Sequence, residues 1–313
     1  MRLPTIHSQT WVILLWLYVA VAWGGSYVAV NVGLEFLPPI FFAATRLYVG
    51  ALVALPLAWV LSNRLLPRER KSVLGIIVTG VFIGTGVNVF LFVGEQYASS
   101  ATGAVIFGMN PILAAFFSWI LIPEERPDLL GAIGLIIGII GIGVIVGFDP
   151  AALLAGRPGQ YLLVVGATSL AFGSVLSRRL NAPLEALPTM GWGLLLGGML
   201  AHIISFSFNE QIPTGDSWTL PLLFAVGYIG VVATGVAYTA YYALLKDIEA
   251  IKAALVSYAV PVVAAIGGFL ILQEPVNQPL IIGFILITAG FILVNKESIR
   301  EEIVGRVSAL VLQ

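Results

Sequence analysis

The sequence predicts an all-α membrane protein of ten transmembrane helices, built as two inverted five-helix repeats with both termini cytoplasmic. Three observations predict it. Hydrophobic residues make up 59% of the chain and charged residues only 10%. Apolar stretches of spanning length recur from one end to the other, and the second half repeats motifs of the first. A soluble domain carries about a quarter charged residues, so a mean hydropathy of +1.02 excludes that class.

Crossing a bilayer takes about 20 mostly apolar residues per helix. The stretches 11–30, 39–61, 72–93, 98–121, 128–147, 159–177, 187–207, 218–240, 250–271 and 278–295 meet that length. In the first, Ala20-Val21-Ala22 resembles a signal-peptide cleavage site. Apolar character continues to Val30, however, and the segment has a counterpart in the second half, so its retention is expected. The domains that follow are 1–148, 149–295 and a tail, 296–313. In that tail Ile299, Ile303, Val304, Val307, Leu310 and Val311 share one side, and Ser298 with Glu301 forms a capping box. This is the pattern of an amphipathic helix lying on the inner leaflet.

Lys and Arg set the orientation. With the N-terminus inside, thirteen of the fifteen basic residues fall on the cytoplasmic side; Arg157 lies outside and Arg46 within a span. Trp11, Trp16, Trp59, Trp119 and Trp192 then sit near inner ends and Trp218 near an outer end, whereas Trp23 is too central for an interfacial belt. Tyr241 and Tyr242 read as belt residues.

The repeat is the most informative feature for function. Pro111 and Glu124 recur as Pro261 and Glu274 at an offset of 150. Leu34-Glu35-Phe36-Leu37-Pro38 aligns with Leu184-Glu185-Ala186-Leu187-Pro188, Thr85-Gly86-Val87 with Thr234-Gly235-Val236, and Gly25-Ser26 with Gly173-Ser174. Five spans is an odd number, so the second copy enters the membrane from the opposite side. Inverted repeats of this kind build carriers with a substrate site between the halves. A passive channel on the same fold is the alternative.

Candidate functional residues are the polar groups inside the spans. Asn88, Asn110, Ser26, Ser174, Tyr238, Ser257 and Tyr258, with Trp23, are the candidates for substrate binding or the cavity wall, and helix-to-helix hydrogen bonding is the competing role. Pro111 and Pro261 each remove a helical N–H, which would free the carbonyls of Phe107 and Ser257 and make hinges or simple kinks. Glu124 and Glu274 are candidate gates, or caps for the helices they precede. Arg46 is a charge inside a span, a mark of function unless it snorkels outward, with Glu35 or Glu95 as possible partners. The glycines Gly131, Gly134, Gly138 and Gly141, and the pairs Gly80/Gly84 and Gly193/Gly197, read as close-packing stripes.

The chain has no cysteine, its net charge of −1 gives no field for nucleic acid, and His7 and His202 are far apart in sequence. Neither a metal site, a cofactor nor an intramembrane enzyme is expected, and no Gly-Lys nucleotide loop is present. The expected partners are a small-molecule substrate and the lipid bilayer.

Trp23-Gly24-Gly25-Ser26-Tyr27, Pro38-Pro39, Ala43-Ala44-Thr45-Arg46 and the duplicated Pro-to-Glu segments, taken in order, resemble EamA-type transporters of the drug/metabolite transporter superfamily. The extra glycine in Trp-Gly-Gly-Ser departs from that family's pattern. The resemblance implies a cavity lined by helices one, three, four, six, eight and nine, and alternating access for a small organic metabolite. It implies an amino acid or analogue, moved by export, in a prokaryotic inner membrane. Related small multidrug carriers exchange protons on a glutamate in the first helix, and this chain has none there.

Overall fold

The structure, a computed structural model, describes residues 9–122, 128–146, 158–211, 215, 218–247, 253, 255–294 and 296. Glu124 and the tail from Ser298 lie outside the described residues. Among the described residues every regular element is helical. In chain order the elements are α1 (Gln9–Leu34), α2 (Pro39–Leu61), α3 (Arg70–Glu95), α4 (Ser100–Leu121) and α5 (Leu129–Val146), followed by α6 (Gly159–Leu180), α7 (Ala186–Ser207), α8 (Leu220–Leu245), α9 (Val256–Leu272) and α10 (Gln278–Val294). Seven are long and apolar enough to cross a membrane, and α5, α9 and α10 are shorter apolar helices. Their outer faces carry large bare side chains: Leu220 is 81% exposed, Trp59 74% and Phe224 73%. An apolar girdle of this size is stable only against lipid.

The ends of the helices show why each starts and stops where it does. Pro39 opens α2, where its missing N–H costs nothing. Ser99 caps α4 by accepting from the Thr102 N–H at 3.2 Å, and Asn277 caps α10 by accepting from Leu280 at 3.0 Å. Asn181, at φ 44°, ends α6 in the left-handed conformation. Asp128 caps α5 through the Gly131 N–H at 2.8 Å and also receives Lys296 from beyond α10. That hydrogen bond from Lys296, with the Gly131 N–H behind it, holds the Asp128 carboxyl below its ordinary range.

Packing between helices interchanges when the two halves are swapped. α2 packs on α7 and α5 on α10; α1 packs on α9 as α6 packs on α4; α3 meets α7 as α8 meets α2. Glycine makes the tightest of these contacts. A Cβ on Gly134 would stand 2.7 Å from the Gly290 carbonyl oxygen, and one on Gly197 2.8 Å from the Cα of Gly84. The α5–α10 and α3–α7 pairs are therefore backbone against backbone, the arrangement small residues permit in lipid.

Two helices widen in their middles. Thr79–Gly86 in α3 and Tyr228–Val236 in α8 wind as π-helix, so that Val87 N–H reaches Phe82 O and Ala237 N–H reaches Val232 O, five residues back. The Thr85 hydroxyl donates to Gly80 O at 3.0 Å and the Thr234 hydroxyl to Ile229 O at 2.6 Å, again five residues back. Side chains from the other half meet the widened turns: Ser169 donates to Phe82 O, and Tyr18 to Val232 O. The Thr-Gly-Val motif that recurs in the sequence thus ends a wide turn in each half. Such turns concentrate at functional sites.

The fourth span is not one kinked helix. It breaks at Met109 into Ser100–Gly108 and Asn110–Leu121, and Pro111 falls in the first turn of the second piece. There its missing N–H breaks no bond. The Met109 N–H closes the first piece by donating to Ile106 O at 3.3 Å. Pro261, by contrast, is inside α9. A Cβ on Gly108 would meet Ser257 O at 3.2 Å and Pro261 Cγ at 3.4 Å, so the break in α4 and the proline of α9 pack on one another.

Candidate functional site

A cavity of about 220 Å³ lies between the halves, walled by α1–α4 on one side and α6–α9 on the other. Of the residues named from sequence, Trp23, Ser26, Asn88, Asn110, Ser174, Tyr238 and Ser257 line it, and so does Arg46. Tyr258 does not: its ring packs on Phe291 of α10, with centroids 4.7 Å apart. At the end of the bundle where Arg178 and Lys296 sit, the cavity runs into a vestibule of about 1330 Å³. The two share Asn110, Ser174, Tyr241, Tyr242 and Ser257, and Pro111 lines the vestibule.

Several polar lining groups are held by their own helices. Ser26 donates to Trp23 O at 2.6 Å and Ser174 to Leu170 O at 2.7 Å, so both hydroxyl oxygens keep lone pairs for the cavity. Asn88 spends its amide nitrogen on Ile83 O (3.3 Å) and Gly84 O (2.7 Å) of the widened turn, which aims its oxygen as an acceptor. Asn110 Oδ1 is buried and has no hydrogen-bond partner among the described residues. Trp23 donates its indole N–H to Ala233 O at 3.1 Å, and its ring centroid lies 5.5 Å from Tyr238 and 5.1 Å from Tyr241. Tyr241 and Tyr242, read from sequence as belt residues, form part of this aromatic wall instead, because α8 crosses α1 here.

Arg46 is 7% exposed and does not snorkel. Its Nε donates to Thr234 Oγ1 at 2.9 Å, and its guanidinium carbon stands 5.8 Å from the centre of the Phe92 ring. Neither Glu35 nor Glu95 makes an ion pair with it. Thr234 is a site residue that a search for isolated polar groups misses, and its repeated Thr-Gly-Val motif is the signal in the sequence.

The opposite end of the bundle is closed by hydrogen bonds. Glu274, from the loop after α9, accepts the Ser100 N–H at 3.1 and 3.0 Å and the Ser100 hydroxyl at 3.2 Å. It caps α4 rather than α10, the helix it precedes. Asn31 bridges from α1 to Ser100 Oγ at 3.0 Å and to Glu95 Oε2 at 3.4 Å. Glu210, after α7, caps α2 through Ile40 N–H at 3.0 Å and Phe41 N–H at 2.7 Å. Among the described residues, no group of His, Cys, Asp and Glu is arranged to hold a metal.

The sequence is similar to the uncharacterized transporter YoaV of Bacillus subtilis, with 27% identity over 88% of this chain and 93% of that one. It is 26% identical to the uncharacterized inner membrane transporter YedA of Escherichia coli K12, over 79% of this chain and 78% of the other. It is 25% identical to the WAT1-related protein At3g02690, chloroplastic, of Arabidopsis thaliana, over 87% and 66%. A crystal structure of a chain 22% identical superposes with a TM-score of 0.63 over 90% of this chain and 96% of that one, which shows the shared fold. The EamA-like transporter family matches residues 10–147 and again residues 157–296, and the chain belongs to that family of membrane transporters.

Proposed function

We propose that this protein is a secondary transporter that moves a small organic metabolite by alternating access between its two halves. The observation that carries the reading is a cavity at the interface of the halves, continuous with a vestibule at one end and shut at the other by Glu274 on Ser100. A passive channel would need both ends open at once, and the closed end argues against it. The swapped packing supports interconversion: the main contacts between the halves have mates that the opposite conformation can use. Pro261 and the break at Met109 supply the hinges, and Glu274 the gate. Glu124, at the equivalent position in the first half, is the corresponding gate for the other end.

The vestibule end is the cytoplasmic one in this reading, because thirteen of fifteen basic residues fall on that side when both termini are inside. An amino acid or an analogue is the cargo class favoured, with export from a prokaryotic cell as the direction. A cavity below the size of drug sites suits a metabolite.

The test is counterflow in proteoliposomes preloaded with a mixed pool of amino acids and other metabolites, read by mass spectrometry. Saturable, trans-stimulated exchange of one chemical class is expected. Unsaturable leakage of many solutes would identify a channel and overturn the carrier reading.

A further inference from the structure

Arg46 is a cation in the wall of the cavity with no anion paired to it among the described residues. One of its N–H groups is committed to Thr234, and the Phe92 ring covers one face. Its remaining N–H groups meet no acceptor among the described residues. Glu95 is close enough to feel its charge but stands apart from it, held through Oε2 by Asn31. The second half offers no mate, since Leu196 stands at the matching position and packs on Gly80. A guanidinium taken out of water and left unpaired is costly, and a solute that brings an anion removes that cost.

We propose that Arg46 anchors the carboxylate of the transported solute, and that the cavity selects small monocarboxylates with an apolar or aromatic body. The inference rests on the transport reading above and names its substrate class. Fixing Nε on Thr234 presents the outer edge of the guanidinium as a planar fork, which matches a carboxylate in two parallel hydrogen bonds. Among the described lining residues Arg46 is the sole charged side chain. It therefore balances a single negative charge, and a dicarboxylate or phosphate dianion would keep a bare charge. Trp23, Tyr238 and Tyr241 give the body of the solute an aromatic wall. With no acid among the described lining residues, an amino group on the solute meets neutral acceptors there. Asn110 Oδ1, buried without a partner, and Asn88 Oδ1 are two such acceptors, which extends the class to zwitterions.

The test uses the full chain in proteoliposomes, with counterflow of two matched pairs: 3-phenylpropionate against 3-phenylpropionamide, and phenylalanine against phenylalaninamide. A mixed pool of neutral, cationic and carboxylate metabolites is run alongside. Wild type is expected to exchange the acid of at least one pair, or carboxylates of the pool, at least tenfold faster than amides and amines. Arg46→Gln should abolish that preference, and Arg46→Lys, which keeps the charge but not the fork, should retain part of it. If Arg46→Gln does not elute as a monodisperse protein, Thr234→Val gives the same reading by releasing the fork, and an unchanged acid preference in it would count against the assignment. Saturable exchange confined to neutral or cationic solutes, or an acid preference that survives Arg46→Gln, would overturn the inference and leave transport standing. Absence of any saturable exchange would overturn the transport reading itself.

Discussion

Arg46 donates its Nε–H to the Thr234 hydroxyl at 2.9 Å, and the same hydroxyl donates to Ile229 O at 2.6 Å. One threonine thus closes the widened turn of α8 in the second half and orients the charge of α2 in the first. Removing a hydrogen bond to a buried charge costs about 1.5–3 kcal/mol. Thr234→Val should raise KM for the transported solute by about tenfold or more, at 1.4 kcal/mol per tenfold. Thr234→Ser, which keeps the hydroxyl, should stay near wild type. Equal KM values for the two variants would show that the hydrogen bond does not position Arg46.

The α5–α10 contact predicts where volume is not tolerated. Gly134→Ala and Gly290→Ala place a methyl against backbone, the latter 2.5 Å from Gly134 O, and backbone cannot rotate away. Overpacking of this kind costs about 1–3 kcal/mol, so each should lower the melting temperature in detergent. Gly227 has nothing within 4 Å of its Cβ position. Gly227→Ala should be neutral or stabilising by up to about 1 kcal/mol, since alanine is the better helix former.

Pro111 and Pro261 are repeat mates in sequence but not in their work. Pro111 starts a helix piece, whereas Pro261 lies inside α9 beside Gly108. Pro261→Ala should therefore lower kcat more than Pro111→Ala does, with both proteins folding. Undiminished turnover in Pro261→Ala would remove it from the hinge.

The pair at Asp128 sets a pH dependence. Its carboxyl is held below the ordinary range by Lys296 and by the Gly131 N–H. The depressed value means that the carboxylate favours the folded state above the ordinary carboxylate range, and that this support is lost as pH falls through the folded-state value. Thermal stability of wild type should fall on acidification through that window, and the fall should be shallower in Asp128→Ala, which has no carboxylate to protonate. Identical profiles would show that the pair contributes nothing.

The class, the helical segments and the duplication were legible because hydrophobic spans of about 20 residues and repeated motifs are properties of the chain itself. Asn88 and Asn110 stood out for the same reason, since an amide in an apolar helix must face protein or water. The rest depended on which face each helix presents. Tyr258 is as polar as Tyr238 but turns toward α10, and Tyr241 and Tyr242, near a helix end, turn inward because α8 crosses α1. The break at Met109 was hidden because a proline in the first turn and a proline in a helix interior look alike in sequence. Glu274 reads as a cap for its neighbour in the chain, yet the fold brings it to Ser100, 174 residues away.

The most direct measurement of the account is reciprocal accessibility. Because the native chain has no cysteine, single-cysteine variants report one position each. Ala115 lines the vestibule, and Ala101, 2% exposed, directly follows the Ser100 that Glu274 holds. With a membrane-impermeant thiol reagent, Ala115→Cys should label and Ala101→Cys should be protected. Adding Glu274→Gln, which weakens the acceptor on Ser100, should raise labelling at 101 and lower it at 115 in proportion. Alternating access predicts that opposed change; labelling at both positions together, in either background, would contradict it.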